Sequence, residues 1–327
     1  MICDEYRLNY YLGNANRQYK LHHAGAKEFS SGRYHTINRH NLVKLFEIKH
    51  NLNLPDYYIT DLLDVYNKLP PVYHDEYITY FPADVDCRLK HQSIVKSRLI
   101  GDDLGTLLKL EKDRHFELGN SMSLNNVDTV KTINSMDIPF LDKCSNVVYR
   151  GTVGPCMPLF NWYVRYGFRK SRRLTLIKKF SDHPMFDIGA TDFSDVFGLR
   201  VDDLLKYKRH KLTIEQMLTY RYIISVEGND LASNLKWAML SNSVVMMPKP
   251  TTCSWFMEDH LKPYVHYVPL KPNFSNLDKQ FRWCESNVTK CEQIAKDSTK
   301  YARQFYNHLN ETRLNKEVLK LYINNAV

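Results

Sequence analysis

The stretch Tyr220–Pro272 constrains the fold of this 327-residue chain more than any other. Ile223 to Val226 is a short apolar run of strand character that stops at Glu227-Gly228-Asn229-Asp230. Leu231, Leu235, Ala238 and Met239 then recur at three- and four-residue spacing, which predicts a helix. Val244-Val245-Met246-Met247 is a second buried strand, closed by Pro248. Strand, glycine turn, helix and strand make the repeating unit of an open parallel sheet, where ligands gather at the carboxyl ends of the strands. Helix N-termini at those ends present unpaired N–H groups to phosphate. Gly228 permits close backbone approach, and Asn229, Asp230, Ser233 and Asn234 crowd polar groups onto the same turn. One glycine at a βα turn is common, so on chemistry alone an ordinary turn is the competing reading.

The runs EGNDLASNLKWAMLSNSVVMMPKP, WFMEDHLKPYVHYVPL and SNLDKQFRW closely resemble the capsule-associated and lipopolysaccharide-modifying glycosyltransferases. That family also holds the Rumi-like protein O-glucosyltransferases and O-xylosyltransferases. The resemblance is strongest from about Tyr220 to Phe305. It implies an α/β fold of two Rossmann-like lobes facing a cleft, the GT-B type. Residues 1–143 would form an acceptor-side lobe carrying the base. Residues 144–327 would form the nucleotide-sugar-binding lobe with C-terminal helices.

Further matches place the expected site. EYITYF at 76–81 alternates as a strand and runs into Pro82-Ala83-Asp84-Val85-Asp86. Asp-x-Asp suits a divalent ion held against a diphosphate, and one aspartate at a strand end suits a general base. The following SIVKSRLIGDD resembles the family's segment after a Gly-Asp-Val-like turn, which implies Asp84 as a base working without a metal; Ala83 stands where the family has glycine. Lys96, Arg98 and Arg114 continue the resemblance as contacts for acceptor or phosphate, with buried carboxylate partners as the alternative for the two arginines. NVVYRG at 146–151 is another strand ending in a glycine turn, and it resembles the family's Tyr/Phe-Arg-Gly-Ser/Ala element. On that match Arg150, Gly151 and Thr152 meet the donor. The family's diphosphate-clamping arginine, some six residues on, falls at Met157-Pro158 here, and Arg165 is the next arginine available. Glu227, Gly228, Asn229, Asp230, Ser233 and Asn234 complete the donor set. Lys236 adds charge there or faces solvent, and Glu258 accepts from a sugar hydroxyl or is a surface carboxylate.

Composition limits the alternatives. Net charge is +9 and pI about 9.0, with basic residues spread rather than arranged in any nucleic-acid motif. A nucleotide diphosphate, an anionic glycolipid or an anionic membrane face would use the same surplus. The densest basic cluster, Arg165, Arg169, Lys170, Arg172, Arg173, Lys178 and Lys179, reads as a solvated helix face or a docking surface. Seven dispersed cysteines without a CxxC pair, and an N-terminus with no basic-then-apolar leader pattern, predict reduced thiols in a cytoplasmic protein; the resemblance and the basic surplus add peripheral contact at the inner membrane face. Tyrosines are dense in residues 1–70; stacking on sugar rings and packing in the core are the two readings, and helical spacing favours the core. Thr213 with Gln216, and Ser275 with Asp278, have capping-box spacing.

The resemblance implies an inverting, metal-independent glycosyltransferase without a cofactor, moving a sugar from a UDP-linked donor to a lipopolysaccharide or capsular hydroxyl. The competing class is a non-catalytic glycan- or nucleic-acid-binding protein that kept the fold.

Overall fold

Continuous apolar runs flanked by turns are what strands buried on both faces require, and the chain places its two such runs at the centre of a parallel sheet. The computed structural model describes residues 1–21, 34–51, 57–81, 88–110, 128–153, 172–193, 201–228 and 230–327.

The first lobe opens with α1 (Asp4–Leu12), followed by β1 (His35–Ile37), α2 (Arg39–Asn51) and α3 (Tyr57–Asn67). Asn38 caps α2, its Oδ1 accepting from the Asn41 N–H at 3.0 Å. Then come β2 (Ile78–Tyr80), β3 (Ser93–Val95), β4 (Ser97–Leu99), β5 (Gly105–Leu107) and α4 (Asp128–Met136). Strands β1-β2-β3-β5 form one sheet, antiparallel between β1 and β2 and parallel beyond.

The second lobe is built from β6 (Cys144–Val153), α5 (Arg172–Phe180), β7 (Phe186–Phe193), α6 (Ile214–Leu218), β8 (Tyr220–Ile224), α7 (Leu235–Met239), β9 (Val244–Pro248), β10 (Thr252–Ser254) and β11 (Val268–Leu270). Its sheet is wholly parallel in the order β11-β9-β8-β6-β7. The order reverses between β6 and β8, which makes that gap the switch point of the sheet. Alternation along each strand sends Val148, Ile223 and Val245 to one core, and Val147, Tyr222 and Val244 to the other. The predicted capping box at Thr213 and Gln216 forms, but α6 ends at Leu218 so that β8 can begin.

Three helices close the chain: α8 (Leu277–Ser286), α9 (Val288–Arg303) and α10 (His308–Asn324). The Ser275–Asp278 box does not form; Asn276 is the residue before α8, and the Ser275 N–H donates to Asn273 Oδ1 instead. The sequence reading kept the whole tail with the second lobe, whereas α10 returns to the first. There Glu311 accepts from Arg7 Nη2 at 2.7 Å, and the Tyr322 hydroxyl donates to the Gln92 carbonyl of the first sheet. A second tie is the antiparallel ribbon of β4 and β10, which pairs one strand from each lobe in the register Ser97↔Ser254, Arg98↔Cys253 and Leu99↔Thr252. The chain is thus α/β with two sheet-centred lobes, as the resemblance implied. Among the described residues no helix is long and apolar enough to cross a membrane.

Candidate active site at the switch point

Two turns meet where β6 and β8 end. Gly151 and Thr152 lie at the carboxyl end of β6, and Val226-Glu227-Gly228 leaves β8. The first residues of α5, Arg172 and Arg173, cross over both. Arg173 donates from Nη1 to the Thr152 carbonyl at 3.1 Å and from Nη2 to the Val226 carbonyl at 3.3 Å. Its Nε is buried and has no hydrogen-bond partner among the described residues, and the same holds for the hydroxyl of Tyr149 beside it. Burial pushes the Tyr149 phenol up, with the Arg173 charge working against that shift. A Cβ on Gly228 would sit 2.8 Å from Arg173 Nη2, so glycine is what lets the guanidinium lie against the turn. Two unpartnered buried polar groups at a switch point form a place where an anion can be received.

Glu227 is present here as a scaffold. Its carboxylate accepts from Arg172 Nη1 at 2.8 Å, from the N–H groups of Thr251 and Thr252, and from both threonine hydroxyls. It therefore aims Arg172 while tying the β8 turn to β10. Asp230 faces the other lobe, accepting from Ser97 Oγ at 2.7 Å and pairing with Lys96 Nζ at 3.1 Å. The helix α7 starts at Leu235 instead of Leu231, and it is only five residues long. Asn234 is absorbed locally, accepting from Ser225 Oγ and donating to the Ile224 carbonyl, and Ser233 is exposed.

Behind this front lies a buried charged pair. Lys236, expected at the donor or in solvent, is 1% exposed, with Nζ 3.7 Å from Glu258 Oε1 and 4.9 Å from the Trp255 ring. Glu258 is 2% exposed, so it is no surface carboxylate. Its oxygens accept from the Ser254 N–H at 2.6 Å and the Ser254 hydroxyl at 2.8 Å. Burial holds its carboxyl above the usual range, and Lys236 and Ser254 pull the other way. Glu258, Arg172, Glu227 and Thr252 line a cavity of about 20 Å³, room for roughly one water-sized molecule.

Two expected cations point elsewhere. Arg98 is paired with Cys253 in the ribbon, which turns its side chain to the face opposite Ser97; there it donates to the Gly105 and Tyr10 carbonyls, both at 2.6 Å. Arg150 is held by Asp187 Oδ1 at 2.6 Å and by the Asp187, Tyr149 and His210 carbonyls. The exposed Thr152 hydroxyl is 3.4 Å from that of Thr191. Asp84, Arg114, Arg165 and Asn229 lie outside the described residues. Among the described residues no group of three His, Cys, Asp or Glu side chains could hold a metal ion.

Arg172 and Arg173 were visible in the sequence only as part of a basic cluster. A sharper signal was available: two arginines in the first turn of a helix oppose its dipole, which favours anionic side chains there. Cations placed against that preference are held for another reason.

Residues 167–322 match the glycosyl transferase family 90. The O-glucosyltransferase LpsA of Dichelobacter nodosus is 31% identical over 239 residues, covering 70% of this chain and 64% of that protein. Human protein O-glucosyltransferase 3 is 29% identical over 41% of this chain and 26% of its own length. The chain therefore spans less than two thirds of either relative. The solved Anabaena protein Alr3699/HepE, in complex with UDP-glucose, shares 15% identity at a TM-score of 0.36, covering 67% of this chain and 57% of that one; a likeness that distant carries no argument about fold or ligand. Over residues 167–322, just under half of its length, this chain is thus similar to glycosyl transferase family 90.

Proposed function

We propose that this chain is a glycosyltransferase that takes a sugar from a UDP-linked donor and passes it to a glycan hydroxyl of the lipopolysaccharide or capsular kind. The observation that carries the reading is Arg173, a half-buried arginine whose buried Nε has no hydrogen-bond partner among the described residues, at the switch point of a parallel sheet. The names of the relatives, both O-glucosyltransferases, support the reaction class.

In this reading the diphosphate lies over Gly228 and Gly151. Arg173 and Arg172 stabilise the charge that grows on it as the glycosidic bond breaks, a task for fixed cations and backbone dipoles. No metal is assigned to that step. Asp84 is the base: it takes the proton from the acceptor oxygen as that oxygen attacks the anomeric carbon from the face opposite the nucleotide, inverting the centre. The parallel pairing of β2 and β3 supports this choice, because both strands leave the first sheet at the end where Lys96 meets Asp230. A polar acceptor carried on a lipid would bring the enzyme to the inner face of a membrane, where the +9 charge favours an anionic surface.

The test is calorimetric titration with a panel of nucleotide sugars, with and without EDTA. A selective response to one UDP-sugar is expected, unchanged by chelation, weakened about tenfold or more by Arg173→Ala, and retained without turnover by Asp84→Asn. Absence of binding to every nucleotide sugar would refute the proposal and leave the binding-protein reading.

A further inference from the structure

On the face of the ribbon opposite Ser97 and Ser254 lies a second cavity, of about 530 Å³, walled by α1, the turn after it, the β4–β5 hairpin and residues 253–260. It shares no residue with the switch point. Its shape is set by buried groups. Gly13 turns back at φ +56°, and a Cβ there would come within 2.5 Å of the Asp103 carbonyl and 2.7 Å of Arg98 Nη1. The Asn14 N–H donates to that same carbonyl at 2.8 Å. Arg98, 5% exposed, forms the floor and fixes the end of α1 through the Tyr10 carbonyl.

One wall is a relay of fixed polar tips on aromatic rings. The Tyr10 hydroxyl donates to Asp259 Oδ1 at 2.6 Å, His260 Nδ1 lies 3.0 Å from the same oxygen, and His260 Nε2 lies 2.9 Å from the Tyr6 hydroxyl. Burial pushes the Asp259 carboxyl up, but the bonds from His260 and Tyr10 outweigh it and leave the group below its usual range. The Tyr6 ring stays 49% exposed at the mouth. The lining also carries Asn9, Asn14 and Asn16, all exposed, with Arg17 and Asp103.

We propose that this cavity binds a neutral sugar unit, at a site separate from the donor pocket. Each asparagine amide both donates and accepts, which matches a sugar hydroxyl that does the same. An exposed tyrosine ring offers an apolar face to the C–H side of a pyranose. The charges lining the cavity, Arg17 and Arg98 against Asp103 and Asp259, balance in sign, which disfavours a phosphate or a nucleotide. The volume falls within the range of small-ligand sites. The site stands on its own geometry and holds whether or not the chain transfers sugar.

The experiment is saturation-transfer NMR on the full chain with methyl glucoside, methyl galactoside, methyl mannoside and maltotriose, each run with and without inorganic phosphate. Transfer to at least one sugar is expected, indifferent to phosphate and to Arg173→Ala. Asn9→Ala with Asn16→Ala should weaken it about tenfold, as expected for two lost hydrogen bonds. Both substitutions are on exposed side chains, so unfolding temperature should not move; Tyr6→Ala, which removes the exposed ring, should weaken binding independently. No transfer to any of the four sugars would overturn the proposal, as would transfer that survives both variants. So would transfer abolished by Arg173→Ala, which places the sugar in the donor pocket, or by phosphate, which marks an anion site. Nucleotide-sugar binding is read separately, so either reading can fail alone.

Discussion

Replacing Gly228 with alanine separates ligand binding from stability at the switch point. The new Cβ would sit 2.8 Å from Arg173 Nη2 and 3.2 Å from its Cζ, where ordinary contact begins at 3.4 Å, so the guanidinium must retreat by about 0.6 Å. Its bonds to Thr152 and Val226 are already 3.1 and 3.3 Å long, and a shift of that size breaks at least one of them. The loss costs about 1 kcal/mol. It is largely offset, because alanine at a position with ordinary φ restricts the unfolded chain by about 0.4–1 kcal/mol. Net stability should therefore stay within about 1 kcal/mol of the parent by urea unfolding. Binding behaves differently: a charge-assisted contact to a phosphate contributes about 1.5–3 kcal/mol, so UDP-sugar affinity should fall roughly ten- to a hundredfold. Titration calorimetry on the same sample reads this directly. A variant with unchanged stability and unchanged affinity would refute Arg173 as the donor's cation.

Three further outcomes follow from the packing. Glu311→Gln takes the carboxylate from Arg7, a buried cation 2.7 Å away, and should cost about 3–5 kcal/mol in urea unfolding; a cost below about 1 kcal/mol would show that the pair is not desolvated. The Glu258 carboxyl is held above its usual value of 4.5, so the folded state keeps a proton that the unfolded chain releases. Its contribution to stability therefore declines as pH rises above that value, and Glu258→Gln should flatten that decline in unfolding measured from pH 4.5 upward. Gly13→Ala puts a Cβ 2.5 Å from a backbone oxygen at positive φ, where no flexible side chain can give way. A loss of at least about 1–3 kcal/mol is expected in thermal unfolding. An unchanged midpoint would contradict the observed turn.

Much of the second lobe was legible because its signals are local. Val244 to Met247 reads as a strand buried on both faces, and Thr213 caps the helix that follows it. The candidate site was legible in place but not in its parts. Glu227, Gly228 and Asp230 do meet at the switch point, yet Glu227 is saturated by Arg172 and two threonines, and Asp230 belongs to a contact between lobes. Arg98 and Arg150 have the composition of phosphate ligands but face backbone carbonyls and Asp187. Nothing in a linear pattern tells which face of a two-stranded ribbon a side chain will take, because that depends on the register with a strand 155 residues away (Arg98 with Cys253).

The sequence by itself determined the α/β class, the strands that became β6, β8 and β9 and the turn at Gly228, because these follow from apolar periodicity and backbone freedom within a few residues. Only the tertiary structure decided which cations serve the site, that Lys236 and Glu258 are buried together, and that the last helix returns to the first lobe. Those outcomes depend on desolvation and pairing between residues far apart in the chain. A charge's role is set by what surrounds it after folding, not by its neighbours in sequence.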